Sequence, residues 1–242
     1  MIEVTHAAKS FGAVTAVRDV SFVAKDGEVT AILGPNGAGK TTTLRMIATL
    51  ARADHGEVTV DGKSAASEPH AVRASLGVVG HSVGLYPRLS AREHVEYFAA
   101  LQGLSKQACA ERCHTLFREL DMGAIADRRA AGFSQGEKLK VAIARALVHD
   151  PKHVLLDEPT NGLDVMSTRA VRDIIRRFKD AGKCVLLSSH VMQEVAALCD
   201  RIVVIAHGVV RATGTPDELR ALAGKSDLED AFVSIVTPEP TR

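Results

Sequence analysis

The ten residues GPNGAGKTTT, from Gly34 to Thr43, constrain the fold more than any other stretch of this chain. An apolar run from Val29 to Leu33 precedes them, and Leu44, Ile47 and Leu50 follow at helical spacing. The stretch therefore predicts a glycine-rich loop between a buried strand and a helix. Successive backbone N–H groups at a helix N-terminus form an anion cradle, which is typical of phosphate binding in an α/β fold.

The residue types in this loop suit a phosphate ligand. Gly34, Gly37 and Gly39 let the backbone turn sharply and approach phosphate oxygens closely. Lys40 supplies a point charge for the β- and γ-phosphates, and Thr41 supplies a hydroxyl for Mg²⁺. The alternative is a chance glycine-rich turn, which the complete G-x-x-x-x-G-K-T pattern makes a poor explanation. The predicted nucleotide-binding segment also includes Pro35, Asn36, Ala38 and Thr42.

A second short apolar strand, HVLLDEP, ends in two adjacent carboxylates. Asp157 suits the Mg²⁺ shell, and Glu158 suits the polarisation of an attacking water, because phosphoryl transfer mainly needs positioning and charge neutralisation. Two acids at a strand end are alone a weak signal, since a solvated loop also begins this way. Their position after a phosphate loop favours the functional interpretation.

Turn signals divide the strand-like segments. Asp26-Gly27 predicts a tight hairpin between AVRDVSFVA and EVTAIL, and Asp61-Gly62 predicts another within EVTVDGKS. RIVVIA and VVRAT are expected to pair across His207-Gly208. CVLLSSH is predicted to be a further buried strand.

Helical patterns dominate the middle of the chain, from about residue 89 to 147, which predicts an all-helical insert in an α/β core. Ser90 and Ser105 are the expected N-caps of its first two helices. A later helix carries Val171, Ile174, Ile175 and Phe178 on one face and is expected to stop at Gly182, and Thr215-Pro216 caps the last helix.

The composition of the chain argues against some classes of function. A formal net charge of +1, from 30 basic and 29 acidic residues, argues against a nucleic-acid partner, which usually requires a basic face. No stretch approaches the ~20 apolar residues of a membrane span, so the chain itself is not expected to form a pore. Cys109, Cys113 and His114 allow a metal site, but reduced thiols on one helix face in a cytosolic protein are favoured.

A family resemblance rests on the segment FSQGEKLKVAIARAL, which lies between the phosphate loop and LLDEP. It resembles the signature motif of ABC-transporter ATPases, usually L-S-G-G-Q, although Gln135 and Glu137 depart from that form. Ser134 can cap the helix that follows, and Gly136 leaves room for a phosphate. The resemblance implies that both contact nucleotide.

Other family motifs match in order. NGLD resembles the D-loop and implies a nucleotide contact for Asp164, and SSH ends at His190, which resembles the switch histidine that contacts the γ-phosphate. Phe11 lies where the family has an adenine-stacking aromatic, with a core Phe as the alternative. His81 stands at the position of a Mg²⁺-binding glutamine, where imidazole is a poorer ligand for a hard ion. Its metal role stays open, as does a one-residue shift toward Gly80.

The resemblance implies a P-loop NTPase (RecA-like) α/β core with an antiparallel β subdomain and an inserted all-helical subdomain. A single ATPase domain is expected over 1–224, with core and β subdomain at 1–84 and 150–224, the helical subdomain at about 85–149, and a C-terminal extension at 225–242.

The resemblance also implies an ATP hydrolase that uses ATP and Mg²⁺, with Lys40, Glu158 and His190 as catalytic residues. Two copies are expected to meet head to tail, and a separate transmembrane permease subunit is the expected partner. The chain would then be cytoplasmic and peripheral on the inner face of the cell membrane. Leu85, Tyr86 and Leu89 are candidate docking contacts.

The sequence is similar to ATP-binding subunits of sodium-efflux and drug-efflux exporters, which implies export of a sodium ion or a drug-like compound. Two alternatives stay open. One is a soluble ABC ATPase that acts on a non-membrane partner, and the other is a scaffold that holds ATP without hydrolysing it.

Overall fold

A computed structural model describes residues 1–82 and 84–237 and contains ten strands and nine α-helices within them. The strands are β1 Ile2–Phe11, β2 Val14–Ala24, β3 Val29–Leu33, β4 His55–Val60, β5 Lys63–Ser64, β6 Leu76–Val79, β7 His153–Asp157, β8 Cys184–Ser189, β9 Arg201–Ala206 and β10 Val209–Gly214. The helices are α1 Lys40–Ile47, α2 Pro69–Ser75, α3 Ala91–Leu101, α4 Lys106–Glu119, α5 Gln135–Leu147, α6 Val165–Asp180, α7 Met192–Leu198, α8 Pro216–Ala223 and α9 Leu228–Val236.

The strands in this part of the chain follow the order β5-β4-β1-β2-β10-β9-β3-β8-β7-β6. β5, β4, β1 and β2 are antiparallel, whereas β9, β3, β8, β7 and β6 run parallel to one another. The fold is therefore the predicted α/β core with an antiparallel β lobe and inserted helices.

The prediction of a hairpin at Asp26-Gly27 is wrong. β2 pairs with β1 and β10, whereas β3 pairs with β8 and β9. All five residues of β3 are buried, and a strand that is apolar on both faces belongs in the middle of a covered parallel sheet. The turn therefore joins two strands that do not pair with each other. The hairpins at Asp61-Gly62 and His207-Gly208 are confirmed.

Side-chain alternation along the central strands builds two cores. Leu33, Leu156 and Leu187 point into the core shared with the inserted helices and α6. The residues one position earlier, Ile32, Leu155 and Leu186, point into the core shared with α1 and the β lobe. Because these strands run parallel and in register, their carboxyl ends meet at one edge of the sheet.

Local capping signals for the helices are confirmed. Ser90 and Ser105 accept hydrogen bonds from the third residues of α3 and α4, and Thr215 caps α8. α6 buries its predicted face and ends at Asp180, with Gly182 at φ 76°. The prediction that Leu50 continues α1 is wrong, because the helix ends at Ile47 and Thr49 adopts φ 59°, which leaves Leu50 71% exposed.

Further predictions concern cysteines and boundaries. All four cysteines are free thiols, and the Cys109 and Cys113 sulfurs lie 4.0 Å apart on one helix face.

α9, in the predicted C-terminal extension, buries Leu228 and Ala231 in the core. The domain boundaries stay predictions, and residues 238–242 of the extension lie outside the described residues. Among residues 1–82 and 84–237, no helix combines the length and apolar character needed to cross a bilayer.

The apolar face of α6 makes a stability prediction. Ile175 is fully buried, so Ile175→Ala is expected to lower the free energy of unfolding by about 2–5 kcal/mol through lost burial and a residual cavity. Met166→Ala on the same helix removes a side chain that is 72% exposed and should change that energy by about 0.5 kcal/mol or less. Urea denaturation without nucleotide measures both, and equal effects would contradict the assigned face.

Candidate functional site

The glycines of the loop between β3 and α1 are required by close packing as well as by conformation. Gly37 and Gly39 have φ of 79° and 107°, in the left-handed region that disfavours a side chain. A Cβ on Gly39 would lie 2.7 Å from the Ala16 carbonyl oxygen, and one on Gly34 would lie 2.2 Å from the Ile205 carbonyl oxygen. The loop is therefore held against β2 and β9 before any ligand is considered.

Lys40 is a buried cation at the first position of α1. Its side chain is only 5% exposed. The Nζ atom donates to the carbonyl oxygens of Gly34 at 2.8 Å and Pro35 at 3.2 Å, and it lies 3.5 Å from Glu158 Oε1. A buried ammonium needs such partners, and an anion entering the loop would replace the weaker ones.

Two oxygen groups meet beside the lysine. The Thr41 hydroxyl donates to Asp157 Oδ1 at 3.2 Å, and the buried Ser188 hydroxyl donates to the same oxygen at 2.6 Å. Ser188 Oγ also accepts the backbone N–H of Glu158 at 3.0 Å. The Thr41 and Asp157 oxygens are a suitable donor set for a hard cation such as Mg²⁺.

Glu158 is the acid that several polar side chains surround. It follows β7 with φ 51°, a strained conformation for a residue with a side chain, and its side chain is 13% exposed. His190 Nδ1 lies 3.3 Å from Glu158 Oε1, and Asn161 Nδ2 donates to Oε2 at 3.4 Å. Both contacts orient the carboxylate toward the same edge of the sheet.

His81 lies at the mouth of the site. It is 60% exposed, and its Nδ1 lies 3.9 Å from Glu158 Oε2. It borders a cleft of about 270 Å³ whose lining also includes Thr41 and Asp157. The residue is therefore near the candidate cation ligands, but it presents a nitrogen where the others present oxygen. A Mg²⁺ ligand role for His81 stays a prediction.

We call Lys40, Thr41, Asp157, Glu158 and His190 the phosphate-loop group, because the contacts described above bring them together. They reach this edge from α1, the end of β7 and the end of β8. Their arrangement can bind an anion, hold a divalent cation and accept a proton from a water molecule.

We call Ser134, Gly136 and Asp164 the signature group. Ser134 caps α5 with a capping box completed by Glu137, and Glu137 also pairs with Arg128 at 2.8 Å. The Ser134 N–H and Arg128 lower the pKa of the Glu137 carboxyl. The atypical Glu137 thus stabilises the N-terminus of α5.

The signature group forms one small patch. Asp164 caps α6 by accepting from Ser167 N at 2.9 Å and from the Ser167 hydroxyl at 2.7 Å. A Cβ on Gly136 would lie 2.6 Å from Ser167 Oγ, so the glycine lets α5 approach α6. Among residues 1–82 and 84–237, no hydrogen bond or ion pair joins the signature group to the phosphate-loop group.

Phe11 ends β1 and is 51% exposed, with Lys9 Nζ 5.5 Å from its ring centre. The alternative of a core phenylalanine is therefore wrong. An exposed ring can stack on a base, and that role stays a prediction.

Sequence reasoning missed two residues of the site. Ser188 stands two residues before His190 in the predicted motif, but nothing local indicates that its hydroxyl bridges Asp157 and the Glu158 backbone. Arg128 was missed because its pairing with Glu137 depends on the loop that precedes α5. The acidic residue at position 137, three residues after an N-cap serine, was the available signal for the capping box.

The chain is similar in sequence to known proteins. The sequence model described as "ABC transporter" matches residues 17–161. The ABC transporter ATP-binding protein NatA of Bacillus subtilis (strain 168) is 44% identical over 239 residues, with 97% of each chain covered. The doxorubicin resistance ATP-binding protein DrrA of Mycobacterium tuberculosis (strain CDC 1551 / Oshkosh) is 40% identical over 225 residues, which cover 93% of this chain and 66% of that protein.

A solved structure is also similar. The dimeric, post-hydrolysis structure of the ATP-binding cassette MJ0796 bound to ADP and Pi is 26% identical and has a TM-score of 0.80. The match covers 89% of this chain and 98% of that one.

Ser188 gives a prediction for the site. Ser188→Ala removes a hydroxyl that is bonded to a buried carboxylate and to a backbone N–H, so it should lower the free energy of unfolding by about 1–3 kcal/mol. Ser189→Ala breaks a single bond, from Val191 N, and should cost less. Chemical denaturation of both variants tests the ranking, which fails if Ser189→Ala costs more.

Proposed function

We infer that this chain, which belongs to the ABC-transporter family as an ATP-binding protein, hydrolyses ATP to drive export through a separate membrane subunit. The observation that carries the proposal is the convergence of the phosphate-loop group on one edge of the sheet. A buried lysine, an oxygen pair suited to a cation and a carboxylate poised beside two histidines are the groups that phosphoryl transfer requires.

The residues from Gly34 to Thr42 would hold the phosphates of ATP. Free backbone N–H groups of this loop would face the anion at the start of α1, and Lys40 would exchange its carbonyl and carboxylate contacts for phosphate oxygens. The exposed ring of Phe11 would stack on the adenine. Mg²⁺ would neutralise phosphate charge at the Thr41 and Asp157 oxygens.

Glu158 is proposed as the general base. Its carboxylate would accept a proton from the attacking water, and it is held in place by its neighbours rather than free to rotate. His190 would orient that carboxylate and contact the terminal phosphate. His81 would approach the other carboxylate oxygen, from which its Nδ1 is separated by 3.9 Å.

A complete site is proposed to need two chains. The phosphate-loop group and the signature group lie on separate parts of one chain, so the phosphate end of ATP would be enclosed by Ser134, Gly136 and Asp164 of a second copy arranged head to tail. A two-fold dimer contains this contact twice, because each copy places its signature group against the phosphate-loop group of the other. ATP would then favour the closed dimer, and hydrolysis would release it.

The membrane partner would dock beside the helical segment. Tyr86 is 55% exposed, and Leu85 packs partly against the core, in the stretch that follows His81. This stretch would transmit closure of the dimer to a permease, with the chain lying on the cytoplasmic face of the membrane. Similarity to sodium-efflux subunits and to a doxorubicin resistance protein supports a sodium ion or a drug-like compound as cargo.

The role of Glu158 predicts the behaviour of an amide variant. Glu158→Gln is expected to lower ATP turnover by ~10²–10⁴-fold, because the amide cannot accept the proton, while ATP binding persists and the dimer accumulates. Glu218→Gln, which alters a capping box in α8, is the matched control and should retain turnover. Phosphate release and size-exclusion chromatography with ATP measure both effects, and normal turnover by Glu158→Gln would refute the assignment.

The composite site predicts complementation between two inactive chains. Lys40→Ala should lose ATP binding, and Ser134→Arg should block the closing surface, so each alone should be inactive. Their mixture contains heterodimers with one intact pair of facing groups and should regain part of the activity. ATPase assays of the separate and mixed chains decide this, and full activity of Ser134→Arg alone would exclude the two-chain site.

The membrane partner is tested by affinity purification of the full chain from detergent extracts. Recovery of a multi-span protein that stimulates ATP turnover is expected. Recovery of ribosomal or DNA-bound partners instead would favour the alternative of a soluble ATPase.

A further inference from the structure

A second cluster of ligand-type side chains lies far from the phosphate-loop group. Asp26, His153 and Cys184 each present one ligand atom, and these atoms lie within 4.8 Å of one another. His153 begins β7, and Asp157 ends it. Four residue steps of about 3.3 Å put the two ends of the strand roughly 13 Å apart, at opposite edges of the sheet.

His153 carries an unused ring nitrogen. Its side chain is fully buried, and its Nε2 lies 3.0 Å from Asp61 Oδ2. A carboxylate only accepts hydrogen bonds, so Nε2 bears the ring proton and Nδ1 is left with a lone pair. Nδ1 has no hydrogen-bond partner among the described residues and faces Asp26 Oδ1 at 3.7 Å.

No hydrogen bond joins His153 Nδ1 to Asp26 Oδ1. The separation of 3.7 Å is too long for a hydrogen bond from Nδ1 to Asp26, and the ring proton is already placed on Nε2, which faces Asp61. The Nδ1 lone pair is thus a buried acceptor without a hydrogen-bond partner in the described part of the chain, and a metal ion between it and the Asp26 carboxylate would satisfy it.

Cys184 completes the set from the neighbouring strand. His153 and Cys184 are paired residues of β7 and β8, so the sheet fixes their spacing, and both are fully buried. The Cys184 thiol donates a hydrogen bond to the Ala24 carbonyl oxygen at 3.6 Å, a contact that a metal ion at the sulfur would replace. A metal ion at the sulfur would stabilise the thiolate and release the thiol proton to solvent.

We propose that Asp26, His153 and Cys184 form a site for a borderline divalent cation of the Zn²⁺ class. Mixed oxygen, nitrogen and sulfur ligands favour such an ion over Mg²⁺, and Asp61 stands behind the histidine as an orienting carboxylate does in zinc sites. The bound ion would link the turn between β2 and β3 to β7 and β8. This site does not depend on the proposed ATPase function.

Two cationic groups already neutralise the cluster and define what the metal must displace. The Met1 backbone nitrogen lies 2.5 Å from Asp26 Oδ1 and 2.7 Å from Asp61 Oδ1, and Lys152 Nζ lies 2.8 Å from Asp26 Oδ2. A metal at Oδ1 would replace the Met1 contact and leave the Lys152 contact in place. Asp26 is partly exposed, so the remaining coordination position is open to water.

Cobalt(II) is the probe, because it occupies zinc sites and its spectrum reports the ligands. The full, tag-free chain is stripped with a chelator and titrated with Co²⁺ without nucleotide. We expect a near-ultraviolet thiolate-to-cobalt charge-transfer band and the strong visible bands of a four-coordinate ion. Cys199→Ala, which removes another buried thiol, should leave both unchanged.

Three variants of the site complete the test. Cys184→Ala should abolish the charge-transfer band, Asp26→Asn should weaken binding, and Asp61→Asn should weaken it by about 10–100-fold through the orientation of His153. Circular dichroism confirms folding, and Asp26→Asn, on a partly exposed turn, decides the matter if Cys184→Ala does not fold.

Three results would overturn the proposal. One is the absence of a charge-transfer band in the unaltered chain, including the case where only weak six-coordinate bands appear. Another is a band that survives in Cys184→Ala. The last is an Asp26→Asn chain that binds Co²⁺ as tightly as the unaltered one.

Discussion

The contact between the Lys40 ammonium and the Glu158 carboxylate is the interaction on which the candidate site depends. Both groups are largely removed from water, and neither would be tolerated there alone. Because β3, β7 and β8 run parallel and in register, the loop before α1 and the residue after β7 emerge side by side. The sheet therefore brings opposite charges into one place, and the loop carbonyls complete the shell of the lysine.

Features governed by nearby residues could be predicted from the sequence. The strand–loop–helix unit around Gly34, the N-caps at Ser90 and Ser105, and the hairpin at Asp61-Gly62 each depend on a few consecutive residues. The turn at Asp26-Gly27 has the same local signal, but the burial of β3 on both faces decides its pairing. That burial depends on strands more than a hundred residues later.

Site contacts that join distant segments could not be predicted in the same way. The sequence indicated that Gly39 would approach a ligand, whereas the nearest obstacle to a side chain there is the Ala16 carbonyl of β2. The Ser188 bridge needs β7 and β8 to be adjacent and in register, which no single motif specifies. Motif spacing thus identified the residue types of the site, and the sheet topology determined their partners.

The proposed division of the site between two copies has a consequence for unassembled copies. Such a copy would hold Lys40 and Glu158, but these residues would face solvent instead of the signature group of a second copy. Copies made in excess of their partners would then be inactive as ATPases. ATP would then not be hydrolysed by unassembled copies, and no separate inhibitor would be needed to prevent it.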